Sequence, residues 1–328
     1  MTPSGTIATR AFDPSRDWSS AAELIATAHL HDGVDWIPTA ESLAHDWSPE
    51  PGFDLIADAV AVDGRAGRLD GVATVDRRER DGRMISHHVS IWVRPERRRR
   101  GLGTAMLEWA EGRCREAGRA WPRPPDWPHV IGGYGMLGVP GHAELAAHHG
   151  YRTHRHAYLM LRRVADPVGE HPLPPGLEVR PVDPSQFRAI WDADVEAFQD
   201  HPEPATRTEA DFEHWFTSPY LDPSLYQVAW DGDRVAGSVL TSINPDENER
   251  LGVNRAWLDH VSVRRPYRQR GLAAALIAST IRLLAARGVE EAALGVDAEN
   301  PSGALRLYEG LGFRRYHEEI GYRKELSL

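Results

Sequence analysis

The sequence predicts an α+β protein made of two similar mixed α/β domains in one chain of 328 residues. Short β-branched segments alternate with helical patterns along the whole chain. The segment 10–15 (Arg-Ala-Phe-Asp-Pro-Ser) returns at 180–185 as Arg-Pro-Val-Asp-Pro-Ser, and an arginine-rich turn ending at Gly101 returns ending at Gly271. Both repeats have the same offset of 170 residues, which indicates a tandem duplication.

The first copy, residues 1–163, is predicted to be a domain of strands and helices that ends in a strand. Alternating and β-branched segments predict its strands, and longer apolar periodicity predicts its helices. We expect strands at 6–12, 55–62, 72–75, 89–93 and 157–161, and helices at 19–31, 102–117 and 143–148. The stretch 121–141 is rich in Pro, Trp and Gly and is expected to be a long loop with a short strand near Val130.

The second copy, residues 177–328, repeats this order after a proline-rich linker at 164–176. Proline in the linker ends any preceding helix and stiffens the connection. We expect strands at 177–181, 225–230, 234–243, 257–263, 292–296 and 314–324, and helices at 187–198, 209–216, 272–287 and 303–311.

Composition narrows the class of protein. Apolar and charged contents of 41% and 26% are ordinary for a globular chain. The net charge of −10 argues against nucleic acid as a partner. With Cys114 as the only cysteine, an internal disulfide or a cysteine-based metal cluster is excluded. No apolar run approaches the roughly 20 residues of a membrane span, so we expect a cytoplasmic protein without a membrane partner.

Histidines are numerous, and the pairs His87-His88 and His148-His149 raise the question of a metal site. Adjacent side chains on a strand or helix point in different directions, and no cysteine is available to complete a ligand set. A solvated surface explains these pairs better, and no metal is expected.

The most informative stretch runs from the strand 257–263 through a basic turn into a helix that opens after Gly271. The helix start carries partial positive charge and free N–H groups, which would repel the four arginines placed around it. These arginines are Arg264, Arg265, Arg268 and Arg270. An anion such as a diphosphate would satisfy both the arginines and the N–H groups. Neither a P-loop nor a Gly-x-Gly-x-x-Gly fingerprint is present.

The pattern Arg268-x-x-Gly271-x-Ala273 resembles the acetyl-CoA pyrophosphate loop of the GNAT superfamily of N-acetyltransferases. The segment 300–313 is similar to a second superfamily pattern, Asn-x-x-Ala-x-x-Leu-Tyr-Glu-x-x-Gly-Phe. The resemblance covers most of 177–328 and, more loosely, 6–161. It implies two GNAT folds, each with a mostly antiparallel sheet splayed at its middle, and acetyl-CoA as co-substrate.

The resemblance also implies catalytic roles. Tyr308 would be the general acid that protonates the departing thiolate; the alternative is that it only packs on the sheet. Asp259 would accept the proton of the incoming amine, directly or through water, or would only orient the substrate. His260 is the weaker candidate, because neighbouring strand residues face opposite sides. Trp215, Phe216 and Tyr220 lie where the family forms its acceptor pocket.

Cofactor contacts are implied for the end of the strand, the turn and the helix start. Val261 is the expected backbone donor to the thioester carbonyl, a role that needs no particular side chain. Asn300 would hold the pantetheine or the loop, or would only cap a turn. The implied contacts are Val261, Ser262, Val263, Arg268, Gln269, Arg270, Gly271, Leu272, Ala273 and Asn300.

The first copy keeps the anion-binding turn but departs from the pattern where the chemistry lies. Val93, Arg98, Gly101 and Gly103 preserve the turn, so this copy either binds acetyl-CoA without turning it over or only supports the fold. Alanine occupies the Tyr308 position, at Ala146, and valine the Asp259 position. We therefore expect a catalytically degenerate first domain.

These observations predict an acetyl-CoA-dependent N-acetyltransferase acting on a primary amine of a small molecule or peptide. Direct attack on the thioester is favoured, because Cys114 lies outside the motifs. The alternatives are a non-catalytic CoA-binding sensor or scaffold, and an enzyme that uses a longer acyl-CoA. Either a monomer or a homodimer is compatible with two copies in one chain.

Overall fold

The computed structural model describes residues 7–48, 52–80, 83–121, 126–139, 141–201, 203–300 and 302–328. Thr6, at the start of the first expected strand, and Pro301, inside the second motif, lie outside these residues, as does part of the expected loop 121–141.

Strands and helices alternate through the first half of the chain. They are β1 (Arg10–Ala11), α1 (Trp18–Asp32), α2 (Ala40–Asp46), α3 (Leu55–Asp58), β2 (Ala59–Asp63), β3 (Leu69–Arg80), β4 (Met84–Val93), α4 (Leu102–Ala120), β5 (His129–Met136), α5 (His142–His148) and β6 (Arg152–Arg163).

The second half has the same kind of alternation. Its elements are β7 (Glu178–Arg180), α6 (Phe187–Phe198), α7 (Glu209–Phe216), β8 (Gln227–Asp231), β9 (Arg234–Ser242), α8 (Pro245–Leu251), β10 (Arg255–Val263), α9 (Leu272–Ala286), β11 (Glu291–Asp297), α10 (Ala304–Gly310) and β12 (Arg314–Glu325).

The chain forms two compact units, and each is completed by a strand from the other half of the sequence. One unit contains residues 1–154 and 320–328, and the other contains residues 155–319. The sequence boundaries, 1–163 and 177–328, instead keep β6 and β12 with their neighbours in sequence. The difference arises because sheet partners decide where a strand belongs: residues 157–163 of β6 pair with β11.

The sheet of the first unit follows the order β1, β2, β3, β4, β5 and the end of β12. Its first four strands pair antiparallel, whereas β4 and β5 are parallel over residues 85–88 and 129–132. The last strand is tied in by the Leu326 N–H, which donates to the His129 carbonyl at 2.9 Å. The single lysine of the chain, Lys324, also bonds Glu111 of α4 in this unit.

The sheet of the second unit follows the order β6, β11, β10, β9, β8 and β7. Parallel pairing of β10 with β11 covers only three residues of each strand and ends at Trp257 opposite Ala293. Beyond this point residues 258 and 260–263 of β10 pair, within the described part of the chain, with β9 alone, on their other side. The two parallel strands therefore diverge, and one edge of β10 is left open.

Helix α9 covers the sheet of the second unit and carries the residues that follow the basic turn. Its apolar side chains recur three or four positions apart and form one face. The most buried of them, each at most 1% exposed, are Leu272, Leu276, Ile277, Ile281 and Leu284. Burying side chains of this size contributes about 1.5–3 kcal/mol each, so the helix start is held firmly against the sheet.

Several local features differ from the sequence expectation. Residues 55–58 form the helical turn α3 instead of a strand, because the Asp54 carboxylate caps the N–H groups of Ile56 and Ala57. Strand β5 covers eight residues of the expected loop. Helices α2 and α8 were not expected, and β1 is only two residues long.

No helix in the described ranges combines the length and apolar character needed to cross a bilayer.

Candidate active site

Asp259 is the extra residue of a β-bulge in β10. Leu258 pairs with Thr241 and His260 with Leu240, so Asp259 has no partner of its own. Bulges redirect side chains and interrupt the alternation of faces. The expectation that His260 faces away from Asp259 is therefore wrong. The ring centroids of His260 and Trp215 are 4.1 Å apart. Trp215 donates a hydrogen bond to the Tyr226 hydroxyl, and the charge of Asp259 acts on the same hydroxyl.

The Asp259 carboxylate is exposed to solvent, yet the protein surrounds it closely enough to raise its pKa to about 6. Both hold for a side chain on the floor of an open cleft. Desolvation is the main cause of the raised pKa, and a hydrogen bond from Ser242 and the charge of His260 partly oppose it. Such a carboxylate is ionised at neutral pH and is more basic than an ordinary aspartate, as a proton acceptor should be.

Val261 presents its backbone N–H to the open edge of β10. The Arg264 N–H donates to the Ala236 carbonyl of the neighbouring segment at 3.0 Å. Because every second residue of an antiparallel strand bonds the same partner, the N–H groups of Ser262 and His260 also face β9, while that of Val261 faces the opposite edge. The divergence of β10 from β11 leaves this edge unpaired. A backbone donor is thus available to a carbonyl oxygen entering the gap.

The turn before α9 has a left-handed backbone at two positions, with φ of +59° at Gln269 and +81° at Gly271. No atom lies within 4 Å of where a Gly271 Cβ would be, so it is φ that favours glycine here. The first bond of the helix runs from the Ala275 N–H to the Gly271 carbonyl, at 3.0 Å. The N–H groups of residues 272–274 precede it and form the free donor set of a helix start.

Leu272 and Ser262 offer only backbone groups to this site. The Leu272 side chain is 1% exposed in the core, and the buried Ser262 hydroxyl bonds Ser238 at 3.0 Å.

The arginine of the motif holds the turn in place. The Nε of Arg268 donates to the Val263 carbonyl at 2.9 Å, and its guanidinium bonds Asp200 and, at 3.0 Å, the Ala197 carbonyl. Arg265 also pairs with Asp200, so two arginines hold the pKa of this carboxyl far below its usual range. In this structure Arg268 ties the turn to the end of α6, and the backbone N–H groups remain available to an anion.

The first copy repeats this arrangement. The Nε of Arg98 donates to the Val93 carbonyl at 3.2 Å, and its guanidinium pairs with Asp32 at 2.6 Å. The φ angles of Arg99 and Gly101 are +59° and +86°. Sequence reasoning missed the acidic partners Asp32 and Asp200, although both copies carry an aspartate where the first long helix ends.

Less space surrounds the turn of the first copy than the turn at Gly271. A Cβ on Gly101 would lie 3.5 Å from the Ile7 side chain, and one on Gly103 would lie 3.4 Å from Leu145. Strand β4 pairs with β3 in an unbroken register from Gly71 opposite Val93 onward, so the bulge of β10 has no counterpart there.

Tyr308 lies on α10 with its ring packed edge-on against Phe313, at 6.1 Å between centroids. It is 7% exposed, and burial raises its pKa to about 12. Within the described residues its hydroxyl has no hydrogen-bond partner. The phenol is therefore protonated at neutral pH and has a proton to donate.

Asn300 caps the turn that precedes α10. Its Oδ1 accepts from the N–H and the hydroxyl of Ser302 at 2.9 and 2.6 Å, and its Nδ2 lies 3.3 Å from the Nε2 of His201. In this structure the Asn300 side chain therefore caps a turn, which is the second of the two roles considered for it from the sequence.

The aromatic residues expected near the acceptor differ in position. Trp215 contacts His260, whereas Phe216 stacks on Phe187 at 4.3 Å within an apolar cluster. The Tyr220 N–H bonds the Ser218 hydroxyl. Arg270 lies exposed, with its guanidinium 3.4 Å from the Pro175 carbonyl.

Comparison with known proteins identifies the family of the chain. The model of the Acetyltransferase (GNAT) family matches residues 25–121 and 187–313. The chain belongs to the GNAT family of acetyltransferases. One match lies on each copy, so the tandem GNAT organisation expected from the sequence is confirmed.

Relatives extend over nearly the whole chain. The mycothiol acetyltransferase of Geodermatophilus obscurus is 32% identical over 306 residues, which cover 92% of each protein. The mycothiol acetyltransferase of Clavibacter michiganensis is 32% identical, and the aligned region covers 84% of this chain and 93% of that protein. These relatives identify the protein as an N-acetyltransferase.

Solved structures give the same fold. A GCN5-related N-acetyltransferase from Sphaerobacter thermophilus has a TM-score of 0.73 and 30% identity, with 98% of this chain and 96% of that chain covered. A tandem GNAT protein from the clavulanic acid biosynthesis pathway has a TM-score of 0.66 at 16% identity, covering 98% and 99%, and supports the fold alone.

A glycine substitution tests the role of the turn before α9. We expect Gly271→Ala to cost about 1–2 kcal/mol of stability, because a Cβ is unfavourable in the left-handed region, and to raise the KM for acetyl-CoA. Gly288→Ala is the matched control, since Gly288 has φ of +74° and equally open surroundings but lies beyond α9. The thermal unfolding temperature should fall in both variants. An unchanged KM for acetyl-CoA in Gly271→Ala would contradict the role of the turn.

Proposed function

We propose that the second unit transfers the acetyl group of acetyl-CoA directly to a primary amine of a small molecule or peptide. The open edge of β10 carries the proposal, because it offers the Val261 N–H to a thioester carbonyl. The same unit contains a proton acceptor, Asp259, and a proton donor, Tyr308. The diphosphate would bind at the N–H groups that follow Gly271.

Each residue has one part in the reaction. Asp259 accepts a proton from the incoming ammonium, directly or through water, and the freed amine attacks the thioester carbon. The Val261 N–H stabilises the oxyanion of the tetrahedral intermediate. Tyr308, with its pKa near 12, protonates the thiolate as the carbon–sulfur bond breaks. Holding amine and thioester in one cleft supplies the proximity that the reaction in water lacks.

We propose that the first copy takes no part in the chemistry. Ala146 and Val89 stand at the Tyr308 and Asp259 positions, and neither can exchange a proton. Its turn retains the geometry of an anion site, so acetyl-CoA binding there is compatible with catalysis in the second unit alone.

The class of the acceptor is proposed from the relatives, which are named mycothiol acetyltransferases. Because the first two of these relatives match 92% and 84% of the chain, an acceptor of the same class is the first candidate. Exposed Asp259 in the cleft also favours a cationic amine.

A direct assay tests the proposal. Purified protein is incubated with acetyl-CoA and, separately, with the deacetylated form of mycothiol, spermidine, an aminoglycoside, an amino-acid ester and cysteamine, and acetylated amine is measured by mass spectrometry. We expect acetylated product from at least one amine together with an equal amount of free CoA. Release of CoA without acetylated amine, or no turnover of any amine, would contradict the proposed function.

A further inference from the structure

His260 and Asp194 form a pair beside Asp259. The Nδ1 of His260 lies 3.2 Å from Oδ2 of Asp194, which is 2% exposed. The other Asp194 oxygen has no hydrogen-bond partner among the described residues. A carboxylate oxygen accepts hydrogen bonds, so Nδ1 is the donor of this pair, and Nε2 is the ring nitrogen that can accept a proton when the imidazole is neutral.

Aromatic rings hold the imidazole in place. The ring of Trp215 lies 4.1 Å from that of His260, and Phe198 packs edge-on at 5.3 Å. The His260 side chain is 23% exposed, and its Nδ1 faces the buried Asp194 carboxylate, so Nε2 lies on the side of the ring away from that acid. A basic nitrogen oriented by a buried acid is the arrangement of a general base.

The charged and titratable groups around His260 come from several elements. Asp194 on α6 and Asp259 on the same strand are the two carboxylates, and Tyr226 lies near Asp259. His201 stacks on Phe198, and His214 precedes Trp215 on α7.

Acetyl transfer to an ammonium ion requires two proton acceptors in succession. The ammonium nitrogen loses one proton before its electron pair can attack the thioester carbon. After the carbon–nitrogen bond forms, the nitrogen is positively charged again and loses a second proton, while the carbon–sulfur bond breaks and the thiolate gains one. One base that still holds the first proton cannot take the second.

We propose that His260, oriented by Asp194, is a second proton-accepting catalytic residue. Asp259 takes the proton of the ammonium, and Nε2 of His260 takes the proton that nitrogen loses after attack. Asp194 is a positioning residue that acts through the imidazole. The inference rests on the proposed acetyl transfer. The first copy lacks both acceptors, since Val89 and Ser90 stand at these two positions.

The pH dependence of three variants tests the proposal. The probe is the amine of the panel that the wild type acetylates fastest, assayed from neutral pH to about pH 10, where a large share of an alkylamine is unprotonated. Asp259→Asn should recover toward the wild-type rate at high pH, because the first deprotonation is then no longer needed. His260→Gln should lose about 100-fold in kcat at neutral pH. At high pH Asp259 holds no first proton and can take the second one, so the discriminating protein combines both substitutions. Asp259→Asn/His260→Gln has neither acceptor and should stay about 100-fold below Asp259→Asn at high pH.

Controls separate chemistry from folding. The exposed His148 of α5 supplies the matched variant, His148→Gln, which should retain wild-type kcat. Added imidazole should restore part of the activity of His260→Ala, which a purely structural role would not allow. Asp194→Asn should lower kcat with little change in the KM for acetyl-CoA.

Full activity of His260→Gln at neutral pH, or recovery of Asp259→Asn/His260→Gln at high pH in parallel with Asp259→Asn, would overturn the proposal. So would a His260→Ala variant that folds, shown by its unfolding midpoint, but gains nothing from imidazole. No acetylated product with wild-type protein would instead overturn the proposed function, on which this inference rests.

Discussion

Tyr308→Phe is expected to lower kcat by at least about 100-fold, the usual contribution of a general acid, with the KM for acetyl-CoA nearly unchanged. The phenylalanine ring keeps the packing against Phe313 and removes only the hydroxyl. Without a proton donor, the thiolate has to leave as an anion from a largely buried position. Steady-state kinetics with acetyl-CoA and the best amine of the panel measure the effect.

The matched control is Tyr134→Phe in the first unit, because Tyr134 is 54% exposed and lies outside the proposed chemistry. It should retain wild-type kcat. The phenol of Tyr308, with a pKa near 12, stays protonated over an ordinary assay range. A fully active Tyr308→Phe protein would show that the thiolate leaves without this donor.

Asp259→Asn is expected to reduce kcat/KM at neutral pH by about 100-fold. In the wild type, kcat/KM should fall as the pH drops below about 6, because the carboxylate becomes protonated there and can no longer accept a proton. The asparagine variant should lack this limb of the pH profile. A wild-type profile that is flat between pH 5 and pH 7 would contradict the assignment.

Asp259→Asn should raise the stability of the protein although it lowers its activity. A carboxyl whose pKa is raised by folding binds its proton more tightly in the folded state, so its contribution to stability decreases as the pH rises through about 6. Above that pH the neutral asparagine should therefore raise the unfolding temperature. Lower activity with higher stability would identify Asp259 as a residue kept for function.

The anion-binding turn could be predicted from the sequence because its determinants are local. A strand, a basic turn and a glycine before an apolar helix follow one another without interruption, and Gly271 has the left-handed backbone that glycine permits. Tyr308 could be singled out for the same reason, since its motif is contiguous. The repeat also separated the two copies, because Ala146 and Val89 can be compared with their counterparts by position alone.

Other features depend on which segments meet in space. Arg268 was expected to contact the anion, and its pairing with Asp200, 68 positions away, belongs to the tertiary structure. The bulge at Asp259 required knowledge of the register of β9, and without it the alternation rule placed His260 on the opposite face. Asp194 is similarly distant from His260 in sequence.

The sequence by itself determined the family, the duplicated architecture, the turn proposed to bind the cofactor, and the residues of the proposed donor and acceptor. The tertiary structure decided which strands complete each unit, which acids hold the arginines, and which side of β10 is open. Short-range preferences of turns, caps and periodicity act within a few residues and can be read along the chain. Strand pairing and buried ion pairs join residues far apart in sequence, and only the packing of the folded chain selects among their possible partners.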